Sequence, residues 1–240
     1  MSEEVDYKIN AISGQIKTNA ADPRLYLERA NLLAKTGREK EAVRDFRRAI
    51  KMEPNKAEFY MEFGKFSKKI GELKESLELF TRYTELAPND PLGFLMKGAS
   101  NFELGNFKQT IVDCTNAIKL DPNNSEAYNN RGMAETASGN MKDALSDLER
   151  AVSLNPGYAK AIGNRGIVKY LMNNFTEAIQ DLDEAVRAEV SDASIHYFRA
   201  LTLMQLDDYK RAHDDILKAI KIEPKNKQYL AVKEEIESKL

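Results

Sequence analysis

Residues 125–158 read SEAYNNRGMAETASGNMKDALSDLERAVSLNPGY. Small and apolar residues recur at helical spacing on either side of Gly139-Asn140, and Asn155-Pro156 closes the stretch. This pattern predicts two short amphipathic helices joined by a tight turn. The design recurs along the chain. Pro54, Pro88, Pro122 and Pro156 stand 34 residues apart, Val190 holds the next place and Pro224 the one after it. A period in this range marks stacked supersecondary units.

With the proline at position 32, six repeats run over 23–56, 57–90, 91–124, 125–158, 159–192 and 193–226. Position 8 holds Ala30, Gly64, Gly98, Gly132, Gly166 and Ala200. Position 20 holds Ala42, Ser76, Thr110, Ala144, Ala178 and Ala212, and position 27 holds Ala49, Tyr83, Ala117, Ala151, Ala185 and Ala219. Position 24 is larger: Phe46, Phe80, Cys114, Leu148, Leu182 and Ile216. A glycine inside a helix costs about 1 kcal/mol relative to alanine, so four at one position imply close helix approach. Positions 17, 21, 24 and 28 form one apolar stripe that fills the remaining space, as in Phe107, Ile111, Cys114 and Ile118. Gly37, Gly71, Gly105 and Gly139, followed by Asn173 and Asp207, fall where a left-handed residue ends the first helix. Asp22-Pro23 and Asp90-Pro91 read as an N-cap followed by proline at the first helical position.

The period and the small-residue classes resemble the tetratricopeptide repeat family. The resemblance implies an all-α fold, an α-solenoid: a right-handed superhelix of about six helix-turn-helix repeats with end-capping helices. Residues 1–22 then form an N-terminal capping helix, 23–226 the six repeats and 227–240 a C-terminal capping helix. Val5, Ile9, Ile12 and Ile16 fall in the register of a preceding second helix, and Leu230 and Ile236 are the expected contacts of the final one. Three features depart from the pattern: Tyr83 in a small slot, Val190 for proline, and polar residues at position 11 (Ser67, Asn101, Glu135 and Lys169).

Composition narrows the function. Charged residues are 31% of the chain, yet the formal net charge is -2, which argues against nucleic acid as a partner. No apolar run reaches the roughly 20 residues of a membrane span. The start MSEEVDYK lacks the basic and apolar regions of a signal peptide. Cys114 is the single cysteine, so no internal disulfide is expected and a reducing, cytoplasmic setting is. No phosphate-binding loop, nucleophile elbow or metal-ligand spacing is present, so no enzyme, no cofactor and no metal are expected. His196 and His213 fall in core slots of repeat six. Buried neutral histidines there would make that repeat the weakest and lower its stability below about pH 6.5.

What remains is the inner surface. The resemblance implies that first helices line a concave groove through positions 2, 5, 6, 9, 12 and 13. Those slots hold Met61, Leu95, Phe102, Met133, Ile167, Tyr170, Leu171, Tyr197, Leu201 and Met204. Asn130 and Asn164 share position 6 of consecutive repeats, beside Asn129, and could hydrogen-bond an extended peptide. Earlier the lining is more basic, with Arg24, Lys35, Lys65, Lys68 and Lys69, and acidic groups of a ligand are expected near Lys65, Lys68 and Lys69. The carboxylate clamp of family members that capture chaperone tails is absent: position 5 holds no lysine, so such tails are not expected ligands. An apolar patch with a polar rim marks a partner site. The expected function is an adaptor that holds a peptide or helix of another protein in the groove. The alternative is a homo-oligomeric assembly scaffold, in which the helix Val5 to Ile16 enters a neighbour's groove.

Overall fold

The computed structural model describes residues 2–188, 190 and 192–240, with Ser2 as backbone only. Among the described residues there is no strand. They divide into two compact units, the first ending at Leu120 and the second beginning at Asp121. The first unit holds α1 (Ser2–Thr18), α2 (Pro23–Lys35), α3 (Glu39–Met52), α4 (Ala57–Lys69), α5 (Leu73–Leu86), α6 (Pro91–Glu103) and α7 (Phe107–Leu120). The second holds α8 (Ser125–Ala137), α9 (Met141–Leu154), α10 (Ala159–Leu171), α11 (Phe175–Arg187), α12 (Ala193–Gln205), α13 (Tyr209–Ile222) and α14 (Lys227–Glu237). From α2 to α13 the helices pair as hairpins, and within each unit a second helix also packs on the first helix of the next hairpin.

The helix ends follow the punctuation. Asp22 and Asp90 accept hydrogen bonds from the amides of Arg24 and Leu92, and proline opens both helices. Gly37, Gly71, Gly105 and Gly139 have positive φ, and Asn173 and Asp207 adopt it too, at 63° and 58°. Past each of these residues the chain closes with one bond. The amide of position 16 donates to the carbonyl of position 11, at 2.8–3.1 Å in all six repeats.

The small slots are small because large side chains fill the space opposite. A Cβ at Gly64 would lie 2.7 Å from the Phe80 ring, at Gly132 2.9 Å from Leu148 and at Gly166 2.8 Å from Leu182. Where position 20 is polar, it bonds across the contact: Ser76 Oγ donates to the Gly64 carbonyl at 3.1 Å and Thr110 Oγ1 to that of Gly98 at 3.3 Å. Tyr83 is accommodated by Gly93 of the next repeat, where a Cβ would stand 2.6 Å from the Tyr83 ring. Burial, and then the adjacent Asp90 carboxylate that its hydroxyl reaches, push the Tyr83 phenol up to about 12. The polar residues at position 11 also find partners. Asn101 donates to Asp113 at 2.8 Å, Ser67 reaches Glu75 at 3.2 Å, Asn140 donates to Glu135 at 2.6 Å, and Lys169 lies 3.0 Å from Asp181.

A feature absent from the sequence reading ties each hairpin together. Arg29, Arg131, Arg165 and Arg199 at position 7 each grip an aspartate at position 23: Asp45, Asp147, Asp181 and Asp215. Both bonds of each fork, Nε to Oδ2 and Nη2 to Oδ1, measure 2.6–2.8 Å. Repeat three substitutes Lys97 and Asp113, at 3.2 Å. Repeat two has Phe63 and Leu79 instead, and Phe63 stacks on Phe46 of the preceding repeat at 5.1 Å.

The end helices differ in detail from expectation. In α1, Ile9 and Ile12 are buried, at 3% and 5% exposure, and Val5 and Ile16 are half-buried against the same core. In α14 the inward residues are Tyr229 and Ile236, whereas Leu230 is 41% exposed. Helical phase decides this: Tyr229 and Ile236, seven residues apart, share one face, and Leu230 is a step off it.

The histidines lie beside carboxylates rather than in the apolar surroundings expected of core slots. His196 Nδ1 lies 3.3 Å from Asp215 Oδ1, and His213 Nε2 lies 3.4 Å from Glu237 on α14. Burial raises the Asp215 carboxyl, but hydrogen bonds from His196 and Arg199 outweigh it and hold the carboxyl below its ordinary value. A carboxyl depressed on folding stabilises above its unfolded pKa, and the contribution disappears as pH falls through the folded value. Protection of the α12 and α13 amides against hydrogen exchange is therefore expected to fall below about pH 4, and the fall is expected to shrink in Asp215→Asn. The forked pair gives a second expectation. Asp181→Ala leaves Arg165 without its partner and is expected to cost about 2–3 kcal/mol in urea unfolding. The double change Arg165→Phe with Asp181→Leu, copied from repeat two, is expected to recover more than half of that loss.

Candidate functional site

First helices of adjacent repeats touch one another: α2 with α4 and α4 with α6 in the first unit, α8 with α10 and α10 with α12 in the second. Position 5 is buried in the first five repeats, whereas Tyr197 in the sixth is half-buried. Met61 is 5% exposed and Leu95 is 3% exposed. Both are core residues, contrary to their assignment as groove lining. Ile167 at position 9 is also enclosed, at 4%. Asn129 and Asn164 are 1% and 2% exposed, and the Asn164 amide donates to Asn129 Oδ1 at 2.8 Å. Burial of that bond, rather than a free pair of amides one repeat apart, accounts for both side chains.

Two cations of the basic lining in the first unit are paired with its own glutamates. Lys65 pairs with Glu62 at 3.0 Å and Lys68 with Glu103 at 2.7 Å, while Lys69 is exposed. Phe102 is half-buried and packs on Phe107 at 5.4 Å. Lys65 and Lys68 are thus paired within the chain, and Arg24, Lys35 and Lys69 are exposed.

In the second unit the remaining residues keep part of their surface, and the structure brings Tyr170 and Tyr197 together through Phe198. Asn130 and Met133 of α8, Tyr170 of α10, and Tyr197 and Leu201 of α12 are all half-buried, and Leu171 is 39% exposed. Phe198, which the sequence reading missed, joins two of them. Ring centroids lie 5.4 Å apart for Tyr170–Phe198, 5.3 Å for Phe198–Tyr197 and 4.8 Å for Tyr197–Tyr229. Phe198 could have been found, because it holds position 6 of repeat six, the slot of Asn130 and Asn164.

The stripe is electrically quiet. Lys169 is held by Asp181 and Glu177, and Arg199 by Asp215 and Asp183. Burial raises the phenols of Tyr170 and Tyr197, and Glu235 adds to the shift of Tyr170, so both rings stay neutral. Asn130 accepts from Asn129 on Oδ1 at 3.2 Å, which leaves its amide nitrogen to donate outward. The surface can bury an apolar side chain and hydrogen-bond a carbonyl beside it. No group of three metal-ligating side chains occurs among the described residues. No described helix is long and apolar enough to cross a membrane.

Three models of the tetratricopeptide repeat match the chain: one at residues 23–56 and 193–226, one at 114–145 and one at 135–202. The sequence has no match among curated proteins. Among solved structures, the anaphase-promoting complex hetero-tetramer Cut9-Hcn1 superposes with a TM-score of 0.79 at 18% identity, over 96% of this chain and 46% of that one. This chain thus spans under half the length of that relative. A tetratricopeptide repeat protein from Parabacteroides merdae gives 0.77 at 13% identity, over 98% and 93%. YrrB, a tetratricopeptide repeat protein with an unusual peptide-binding site, gives 0.61 at 25% identity, over 74% and 92%.

Asn164→Leu removes the donor to Asn129 and leaves a buried acceptor unsatisfied. It is expected to destabilise the second unit by about 2 kcal/mol in urea unfolding.

Proposed function

Because the chain belongs to the tetratricopeptide repeat family, we propose that it is a protein-interaction adaptor that holds a peptide or helix of another protein against α8, α10 and α12. One observation carries this reading. In the second unit the first helices leave apolar residues half-buried, although α8 and α10 bury position 5 and the cations Lys169 and Arg199 are paired internally. Tyr170, Tyr197 and Phe198 offer large, stiff apolar area, and Met133 adapts to what covers it. The Asn130 amide supplies a polar anchor for a ligand carbonyl. The peptide-binding site of YrrB supports the reading by likeness of fold and repeat.

The scaffold alternative, as first framed, has lost its basis. The apolar edge of Val5 to Ile16 is spent on α2, so it is not available to a neighbour's groove.

The test uses Met133→Glu and Leu201→Asp, each at a half-buried position. Leu95→Asp is unsuitable, because a charge at a sealed position would unfold the repeat. Peptides selected from a display library on the parent chain are expected to bind each variant at least about tenfold more weakly, with the far-UV circular dichroism of the parent. Undiminished binding to both variants would remove the stripe from the account.

A further inference from the structure

The second helices of the first two repeats enclose an open cleft of about 870 Å3. Its walls differ in sign. α3 contributes Lys40, Arg44 and Arg47, and the α5 side contributes Glu72, Glu75 and Glu78, with one charge of opposite sign on each wall, Glu39 and Lys74. Val43 and Ile70 provide the apolar part of the lining. One pair closes across the cleft within the chain: Arg47 Nη2 lies 2.8 Å from Glu75 Oε1. Lys40, Arg44, Glu72 and Glu78 are exposed and make no ion pair among the described residues.

The pairing of signs belongs to this place. Position 22 of the successive repeats holds Arg44, Glu78, Val112, Ser146, Gln180 and Asp214. Only the first two repeats set opposite charges side by side there. A polyanion, whether nucleic acid or an anionic bilayer, would gain at α3 and be repelled at α5. A uniformly acidic or basic peptide meets a like-charged wall in the same way. A surface that carries both strips, and meets them in reverse order, satisfies every charge at once. A two-fold rotation of this same surface has that property, because an isologous contact sets residue i against j and j against i.

We propose that the α3–α5 cleft is a self-association surface whose occupant is a second copy of this chain. Arg44 faces the partner's Glu78, and Lys40 faces the partner's Glu72, each contact occurring twice. Val43 and Ile70 lie between the charged strips and lose their exposure to water on contact. The Arg47–Glu75 pair is the same chemistry already satisfied within one copy. This surface is distinct from the stripe on α8, α10 and α12, so either can fail without the other.

Sedimentation velocity on the full chain tests it. At about 50 mM salt the parent is expected to form a dimer, and its dissociation constant to rise at least about tenfold at about 0.5 M, where exposed charges are screened. Lys40→Glu with Arg44→Glu makes both walls acidic, and Glu72→Lys with Glu78→Lys makes both basic. Each double variant is expected to be monomeric and, by circular dichroism, folded. Their equimolar mixture is expected to recover the dimer, since each now supplies the sign the other lacks. A parent that stays monomeric at low salt overturns the proposal. So do double variants that dimerise as the parent does, which would place the interface elsewhere, and so does a mixture that remains monomeric.

Discussion

The forked arginine–aspartate contact is the constraint on which the geometry of four of the six hairpins depends. It joins position 7 of a first helix to position 23 of a second, with two parallel hydrogen bonds that fix both height and rotation. Hydrophobic packing alone is tolerant of small slips, whereas a bidentate pair is not. The aspartates are nearly buried, so an unpaired one would be costly, which makes the register all-or-none. The fork also reaches backward. Arg199 Nη1 donates to Asp183 of the previous repeat at 3.0 Å, and Arg29 Nη1 donates to Ser13 of α1 at 3.0 Å. Ser13 and Asp183 hold the same place in their second helices, so α1 is stitched on by the device that joins repeats five and six.

Repeat two shows what the contact is worth by doing without it. Phe63 and Leu79 replace the ion pair, and Phe63 turns to stack on Phe46 while Phe66 packs tilted on the same ring at 5.5 Å. Part of what holds the repeat is thus transferred from within a hairpin to the contact between hairpins. A well-packed apolar substitute can match a buried pair, because it avoids the desolvation of two charges. Tyr83 and Gly93 make a similar exchange of volume across the next boundary. Both are compensations between neighbours, the only range over which stacked repeats communicate strongly.

The fold was legible because its determinants repeat. A small residue at position 8, glycine in four repeats and alanine in two, and a larger one at position 24 are one contact read from both sides, and six copies make the pattern visible. The fork left a visible trace as well, an arginine sixteen residues before an aspartate in four repeats. It was missed because charged residues on helices are usually solvated, and two repeats break the series. The candidate site was legible only in part. Met61 and Met133 are both methionine on a first helix, yet one is sealed and the other half open. The difference lies in how far the neighbouring first helix covers positions 5 and 9, a property of packing and not of residue type. Asn129 and Asn164 misled for the same reason: an amide suits a ligand backbone and a buried partner equally well.

The contrast between the inner faces of the two units is the physical reason for placing the proposed groove-bound partner on the second. Covering Lys68 and Glu103, or Lys65 and Glu62, would strip water from ions that already satisfy each other, and the partner would gain little in return. Covering Met133, Leu201 and the rings of Tyr170 and Tyr197 asks no charge to give up its hydration, since the nearby cations are held by Asp181, Asp183 and Asp215. Each square ångström of apolar surface removed there returns about 25 cal/mol. The aspartates that fix the hairpins thus have a second consequence. By pairing Lys169 and Arg199 from within, they remove the charge penalty that would oppose covering this face, which is the premise of the proposed adaptor role.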